Sequence, residues 1–115
     1  VSPQNLERVR QGMRNAVAGA GGTAHGINVP GVAVAGKTGT AEYFVDRNKD
    51  GIPDRDREGN LPTHAWFTAF APYDDPEIAV VVFVFGGGEG SASAVPVANE
   101  ILNYYFERDI GDSSP

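Results

Sequence analysis

The sequence has no cysteine among its 115 residues, so no disulfide bond can stabilise the fold. This absence leaves the redox compartment open, because exported bacterial proteins can also do without thiols. Long apolar runs are absent as well: the longest, residues 78–85, has eight residues, whereas a helix that spans a bilayer needs about 20. The first residues also lack the pattern of a signal peptide. We expect any leader or anchor of the parent protein to lie outside this chain.

Basic residues are scarce. Lys and Arg number 9 against 15 Asp and Glu, which gives a formal net charge of -6. Such a chain repels nucleic acid and offers no basic patch to an anionic membrane. Neither His25 nor His64 has a second histidine or a cysteine nearby, so the sequence gives no support to a transition-metal site. Nucleic-acid binding is therefore excluded as the leading function.

The chain suffices for one small domain, because a chain of this length can bury roughly 65% of its unfolded surface. Hydrophobic spacing and turn residues then divide it into elements. The predicted elements are a helix over residues 3–18, strands over residues 32–44, 65–71 and 78–85, a helix over residues 92–107 and a disordered tail over residues 109–115. This order predicts an α+β fold, in which helices flank a three-stranded antiparallel sheet.

The most informative segment is Gly36-Lys37-Thr38-Gly39-Thr40-Ala41-Glu42. Lys37 is a flexible cation suited to attracting a carboxylate and to sharing hydrogen bonds with a serine hydroxyl. Thr38 and Thr40 add hydroxyl donors. Gly39 has no side chain, so a peptide-like substrate can lie against the strand and pair with it as an added strand. The alternative interpretation is a lysine that projects from a solvated edge strand without binding a substrate. For an isolated Lys-Thr-Gly tripeptide, this is the commoner case.

The surroundings of this segment decide between the two interpretations. Lys-Thr-Gly is one of three motifs of penicillin-binding proteins and serine β-lactamases. The chain resembles class B penicillin-binding proteins over about residues 5–106, in the order of that family. The matching segments are Gly12-Met13, Gly22-Thr23-Ala24, residues 35–42, Ala65-Trp66-Phe67, Ala71-Pro72, residues 75–79 and Ala94-Val95-Pro96-Val97.

The resemblance implies that residues 1–108 are the C-terminal portion of a transpeptidase domain with an incomplete penicillin-recognising fold. It implies an enzyme that cross-links peptidoglycan stem peptides through a serine acyl-enzyme and binds β-lactams, without a cofactor. Lys37 and Thr40 would be catalytic, with the Thr40 backbone N–H in the oxyanion hole. Thr38 and Gly39 would bind substrate, the threonine hydroxyls holding the terminal carboxylate of D-Ala-D-Ala. The domain would lie outside the bacterial cell membrane.

The serine nucleophile of that family is missing. No serine in the chain is followed by lysine three residues later or by asparagine two residues later. Without Ser-x-x-Lys the chain has no attacking hydroxyl with its activating amine. We therefore expect an inactive fragment whose missing motifs precede it. A β-lactamase or a β-lactam sensor on the same fold stays open as an alternative.

The segment after the Lys-Thr-Gly strand is a long acidic loop, residues 46–63. Its first part follows the D-x-N-x-D-G pattern of calcium loops, and the candidate ligands are Asp46, Asn48, Asp50 and Asp54. Arg57 stands where such loops place a bidentate acid. The alternative is a solvated insertion held by Asx turns. A non-catalytic calcium-binding interaction module is thus the rival from another functional class.

Residues 78–85 are apolar at almost every position, which predicts a strand buried between two layers. In the family that the chain resembles, this strand also pairs with a strand from before the catalytic motifs. That partner is missing here. We therefore expect an exposed edge that recruits further copies of the chain, so that the isolated fragment forms a homodimer or aggregates.

Overall fold

The computed structural model describes residues 1–112, and the side chains of residues 1–108. The elements in chain order are α1 (Pro3–Ala18), β1 (Ala35–Glu42), β2 (Thr63–Ala71), β3 (Ile78–Val84) and α2 (Gly90–Asp112). The three strands form one antiparallel sheet in the order β1-β2-β3. The predicted α+β architecture, with helices flanking a three-stranded sheet, is confirmed. No helix within the described part of the chain is long and apolar enough to cross a membrane.

Helix α1 covers the same residues as the predicted helix because its signals are local. The Ser2 hydroxyl accepts the N–H of Asn5 at 3.2 Å, and Pro3 occupies the first helical position. The helix ends where the N–H of Gly19 donates to the carbonyl of Asn15 at 2.8 Å. Just beyond, the N–H of Ala24 returns to a carbonyl of the last helical turn. The chain is thereby turned towards β1.

The core lies between one face of the sheet and α2. Strand β2 alternates, so that alanines and Phe67 point inward from every second position. Phe67 is fully buried, as is Leu102 from α2. The strand and α2 residues that build this core are Ala65, Phe67, Ala69, Ala71, Val80, Val82, Ala94, Val95, Ala98, Leu102 and Phe106. The last turn of α1 adds Val17.

The opposite face of the sheet is open along β3, whereas near the start of β1 Arg10 of α1 lies over the ring of Phe70. Val81 is 67% exposed, Phe83 is 45% exposed and Phe85 is 74% exposed. Aromatic rings gather there, with Tyr43 stacked on His64 at 3.8 Å between ring centroids. The expectation that the third strand is buried on both sides is therefore wrong for the described residues, because these supply only one covering layer. As expected, β3 is an edge strand.

Six element boundaries differ from those predicted: β1 ends at Glu42 and not at residue 44, β2 begins at Thr63 and not at residue 65, β3 ends at Val84 and not at residue 85, and the start of β1 and both ends of α2 also differ. Strand β1 starts at Ala35 and not at residue 32, because the carbonyls of residues 33 and 34 bond elsewhere. The Ala33 carbonyl accepts the N–H of Tyr73 at 2.8 Å, and the Val34 carbonyl accepts the Arg14 guanidinium at 2.8 Å.

Helix α2 extends further in both directions than residues 92–107. Residues 109–112 of the predicted disordered tail continue this helix, which corrects that part of the prediction. Residues 113–115 of the tail lie outside the described residues.

Candidate active-site strand

Strand β1 forms one edge of the sheet. It pairs with β2 in a register that sets Lys37 opposite Thr68, Thr38 opposite Phe67 and Thr40 opposite Ala65. Its other side carries no strand among the described residues. Because side chains alternate along a strand, Lys37 and Gly39 share one face, whereas Thr38 and Thr40 share the face that α2 covers.

The strand backbone is pressed closely against its neighbours. A Cβ atom on Gly36 would lie 2.8 Å from a ring carbon of Phe67 and 2.9 Å from the Thr68 carbonyl oxygen. A Cβ atom on Gly90, the first residue of α2, would lie 2.6 Å from the carbonyl oxygen of Gly39. Only glycine fits at either point, since real Cβ atoms do not approach backbone oxygen so closely. The start of α2 therefore rests directly on the Lys-Thr-Gly segment.

Lys37 is exposed at this edge. Its ammonium group donates to the backbone carbonyl of Thr38 at 2.6 Å. None of the described carboxylates forms an ion pair with it. The lysine is thus a cation at an open edge whose charge no acidic neighbour offsets.

The two threonine hydroxyls are each held by a residue from a distant part of the chain. Thr38 Oγ1 lies 2.9 Å from Thr23 Oγ1, and either hydroxyl can be the donor. Thr40 Oγ1 donates to Glu89 Oε2 at 3.2 Å. It also accepts a longer contact, 3.4 Å, from the N–H of Gly90. The fold thus brings the loop after α1 and the start of α2 onto the same short strand.

Glu89 is a residue that sequence reasoning missed. In the sequence, the run Gly86-Gly87-Gly88 before it indicates only that the third strand ends there. In the structure this run is a fixed turn, in which the N–H of Gly86 donates to His64 Nδ1 at 2.9 Å. The N–H of Gly88 donates to the carbonyl of Thr63 at 3.1 Å. The signal that could have revealed Glu89 is a single carboxylate within a glycine run that directly precedes a helix.

An open cleft of about 660 Å³ adjoins Thr40. Its lining residues are Thr40, Glu42, Asp56, Asn60, Leu61, Thr63, Gly88 and Glu89. The backbone N–H of Asn60, which donates to Asp56 Oδ1 at 2.8 Å, lowers the pKa of the Asp56 carboxyl. This bond favours the ionised form of the Asp56 carboxyl, which lines the cleft at the threonine end of the strand.

The acidic loop is held by its own hydrogen bonds. The Asp46 carboxylate accepts the N–H groups of Asp50 at 3.1 Å and of Gly51 at 2.8 Å. The Asp54 carboxylate accepts the N–H of Arg47 at 3.0 Å. Together with the Asx turn in which the N–H of Ile52 donates to Asp50 Oδ1 at 2.8 Å, these bonds are what the solvated-insertion alternative predicts.

The candidate calcium ligands Asp46, Asn48, Asp50 and Asp54 thus take part in loop bonding. Asn48 donates from its side-chain amide to Asp50 Oδ2 at 3.0 Å, and Asp50 Oδ1 accepts the N–H of Ile52 at 2.8 Å. In the described part of the chain, no group of three or more His, Cys, Asp and Glu side chains is arranged to hold a metal ion. The calcium hypothesis gains no support from this arrangement.

The comparisons with known proteins agree with this geometry. The family model of the penicillin-binding protein transpeptidase domain matches residues 1–103. The chain is 37% identical over 103 residues to the peptidoglycan D,D-transpeptidase MrdA of Haemophilus influenzae, covering 89% of this chain and 16% of that protein.

Two solved structures share the fold. Pseudomonas aeruginosa PBP2 in complex with WCK 5153 has a TM-score of 0.69 at 35% identity, covering 90% of this chain and 20% of that one. The imipenem acyl-enzyme of penicillin-binding protein A from M. tuberculosis has a TM-score of 0.64 at 33% identity, covering 92% of this chain and 20% of that one. The chain thus spans about a fifth or less of these relatives. It belongs to the penicillin-binding protein transpeptidase domain family.

Proposed function

We propose that this chain is the substrate-docking part of a peptidoglycan D,D-transpeptidase and works with a Ser-x-x-Lys segment that lies outside these residues. The observation that carries the proposal is a strand with one open edge that presents the Lys37 cation on one face and the hydroxyls of Thr38 and Thr40 on the other. An extended peptide with a terminal carboxylate fits that arrangement, because it can pair with the free edge while its carboxylate meets the threonine hydroxyls and the Lys37 cation stays available to the nucleophile.

Each residue of the strand has a role in the proposed reaction. A serine hydroxyl attacks the carbonyl between two D-alanines, the terminal D-alanine leaves, and an acceptor amine then takes the acyl group from the serine. Lys37 stabilises the negative charge near the nucleophile. The backbone N–H of Thr40 donates to the oxyanion, a contribution of about 3 kcal/mol for one such donor. Thr38 and Thr40 hold the terminal carboxylate, and Gly39 leaves room for the peptide. The transfer uses no cofactor.

The relatives support this choice of chemistry. The MrdA relative is named a peptidoglycan D,D-transpeptidase, and penicillin-binding protein A of M. tuberculosis forms an acyl-enzyme with imipenem. We extend the substrate class, β-lactam binding and a location at the outer face of the bacterial membrane to the protein that contains this chain. A β-lactamase or β-lactam sensor would use the same strand and would differ in how fast the acyl group is released.

A non-catalytic calcium-binding module is the weaker candidate. It would need the carboxylates of Asp46 and Asp50 to turn from the loop N–H groups towards a cation. The loop bonds of Asp46, at 2.8–3.1 Å, would then have to be replaced or shared.

The decisive experiment measures acylation of the complete enzyme by a fluorescent penicillin. Lys37→Ala should lower the second-order acylation rate constant by about 10²-fold or more, because the cation acts in the transition state. Lys49→Ala is the matched control, since Lys49 is an exposed lysine of the acidic loop. The isolated 115-residue chain should take up no label. A rate unchanged by Lys37→Ala would remove this residue from the proposed mechanism.

A further inference from the structure

The hydroxyl of Thr40 can donate one hydrogen bond. A threonine hydroxyl supplies one donor and two acceptor positions, whereas an ionised carboxylate only accepts. Glu89 Oε2 lies 3.2 Å from Thr40 Oγ1, so the hydrogen of Thr40 points at Glu89. The N–H of Gly90, at 3.4 Å, approaches an acceptor position of the same oxygen. In this state Thr40 offers no hydrogen to a ligand.

Thr38 is not restricted in the same way. Its partner is the hydroxyl of Thr23 at 2.9 Å, and either oxygen can donate. If Thr23 donates, Thr38 keeps its own hydrogen for a ligand and loses no bond. The two threonines of the strand therefore differ: one is paired with a hydroxyl that can take either role, and the other with a carboxylate that cannot.

We propose that Glu89 is a specificity-determining residue that competes with the carboxylate of an incoming ligand for the hydrogen of Thr40. The inference rests on the proposed function, because it assumes that Thr40 meets a ligand carboxylate. Two costs oppose an anionic ligand: the Thr40–Glu89 hydrogen bond must break, and the ligand charge must approach the Glu89 charge. A ligand without a negative charge at this point escapes the second cost and needs no hydrogen from Thr40.

Glu89 is held in position to exert this effect. It directly follows the glycine turn whose N–H groups donate to His64 Nδ1 and to the Thr63 carbonyl. The Ser93 hydroxyl donates to the carbonyl of Gly87 within the same turn. Gly90, the next residue, contacts the backbone of the Lys-Thr-Gly strand. The carboxylate is therefore attached to a backbone anchored on both sides, although its side chain is exposed.

The test replaces Glu89 in the complete enzyme and measures acylation by a penicillin and by the methyl ester of the same penicillin. Glu89→Gln keeps the size of the side chain, removes the charge and adds N–H donors, so that Thr40 can accept from it and donate to the ligand. We expect the acylation rate constant for the free-carboxylate penicillin to rise about 3- to 10-fold. The rate constant for the ester should change less than 2-fold, by the same physical reasoning.

Three further substitutions separate the hydrogen bond from general electrostatics and from folding. Glu42→Gln removes another carboxylate of the same cleft without touching Thr40, and should leave the ratio of the two rates near that of the unsubstituted enzyme. Glu89→Ala should change the ratio in the same direction as Glu89→Gln. In a Thr40→Val background the gain from Glu89→Gln should largely disappear, because no hydroxyl hydrogen is left to release.

The outcomes distinguish this inference from the function on which it rests. If the unsubstituted enzyme is not acylated by any penicillin, the proposed function itself fails. If that enzyme is acylated and Glu89→Gln changes neither rate, or raises the ester rate equally, only the role of Glu89 is refuted. An equal effect from Glu42→Gln would also refute it, because the hydrogen bond to Thr40 would then be irrelevant.

Discussion

Gly90 is the first residue of α2 and packs against the backbone of two strands. A Cβ atom there would lie 2.6 Å from the Gly39 carbonyl oxygen and 3.0 Å from the Gly39 nitrogen, and closer still to the Trp66 carbonyl oxygen. All three are backbone atoms of paired strands, so they cannot turn aside as a flexible side chain would. Gly90→Ala must therefore displace either the start of α2 or the Lys-Thr-Gly strand.

The expected change in the free energy of unfolding is opposite in sign to the change that helix propensity alone predicts. Alanine favours a helix over glycine by about 1 kcal/mol, so propensity alone predicts a more stable protein. Overpacking of a tight interior contact costs about 1–3 kcal/mol, and we take the upper end of this range because the contact here is with rigid backbone. We expect Gly90→Ala to lower the free energy of unfolding by about 2 kcal/mol on balance, or the melting temperature by roughly 10 °C for a domain of this size.

Urea unfolding of the 115-residue chain, followed by circular dichroism, measures the effect. Gly12→Ala is the matched control, because Gly12 lies inside α1 and a Cβ atom there would meet nothing within 4 Å. It should stabilise the chain by about 1 kcal/mol. If Gly90→Ala were as stable as the unsubstituted chain, the close contact between α2 and β1 would be wrong. If Gly12→Ala were destabilising, the comparison by propensity would fail.

Three shorter predictions concern the core, the acidic loop and the edge of the sheet. Leu102→Ala should cost about 2–5 kcal/mol, because Leu102 is fully buried between α2 and the sheet; urea unfolding checks it, and a cost below 1 kcal/mol would contradict the described core. Millimolar calcium should not raise the melting temperature, since no group of three or more His, Cys, Asp and Glu side chains among the described residues is arranged to hold an ion; a clear rise with matching heat in titration calorimetry would support the calcium site. The isolated chain should form a dimer or aggregate through β3, one edge of which has no partner strand among the described residues; light scattering from a stable monomer at high concentration, with fast amide exchange along residues 78–84, would refute this.

The elements that sequence predicted well are those whose signals are local. Helix α1 is fixed at its start by Ser2 and Pro3 and at its end by Gly19, all within one stretch of chain. The three strands were also found, since short apolar or β-tolerant runs bounded by turn residues need no distant partner to be recognised. The start of β1 was misplaced because Tyr73, 40 residues away from Ala33, takes the carbonyl that a longer strand would have used.

The covering of the sheet could not be predicted in the same way. An apolar run such as residues 78–84 indicates that both faces tolerate burial, but it does not say which neighbours supply the covering layers. Within the described residues α2 covers the face with Val80 and Val82 and leaves Val81 and Phe83 exposed. A periodicity argument treats these four residues alike, although their surroundings differ completely.

The candidate site shows where motif reasoning stops. The Lys37-Thr38-Gly39 segment was found because three residue types in sequence carry a known chemistry, and its neighbours in the chain supported that interpretation. The partners of its hydroxyls were not found, because Thr23 is 15 residues and Glu89 is 49 residues away from the threonine that each one contacts. Only the packing of α2 on the strand, through a contact that requires glycine at position 90, determines that a carboxylate at position 89 meets Thr40. The residues with recognisable chemistry lie on the strand. The residues that determine whether its hydroxyl hydrogens are available to a ligand come from the segments that pack against it.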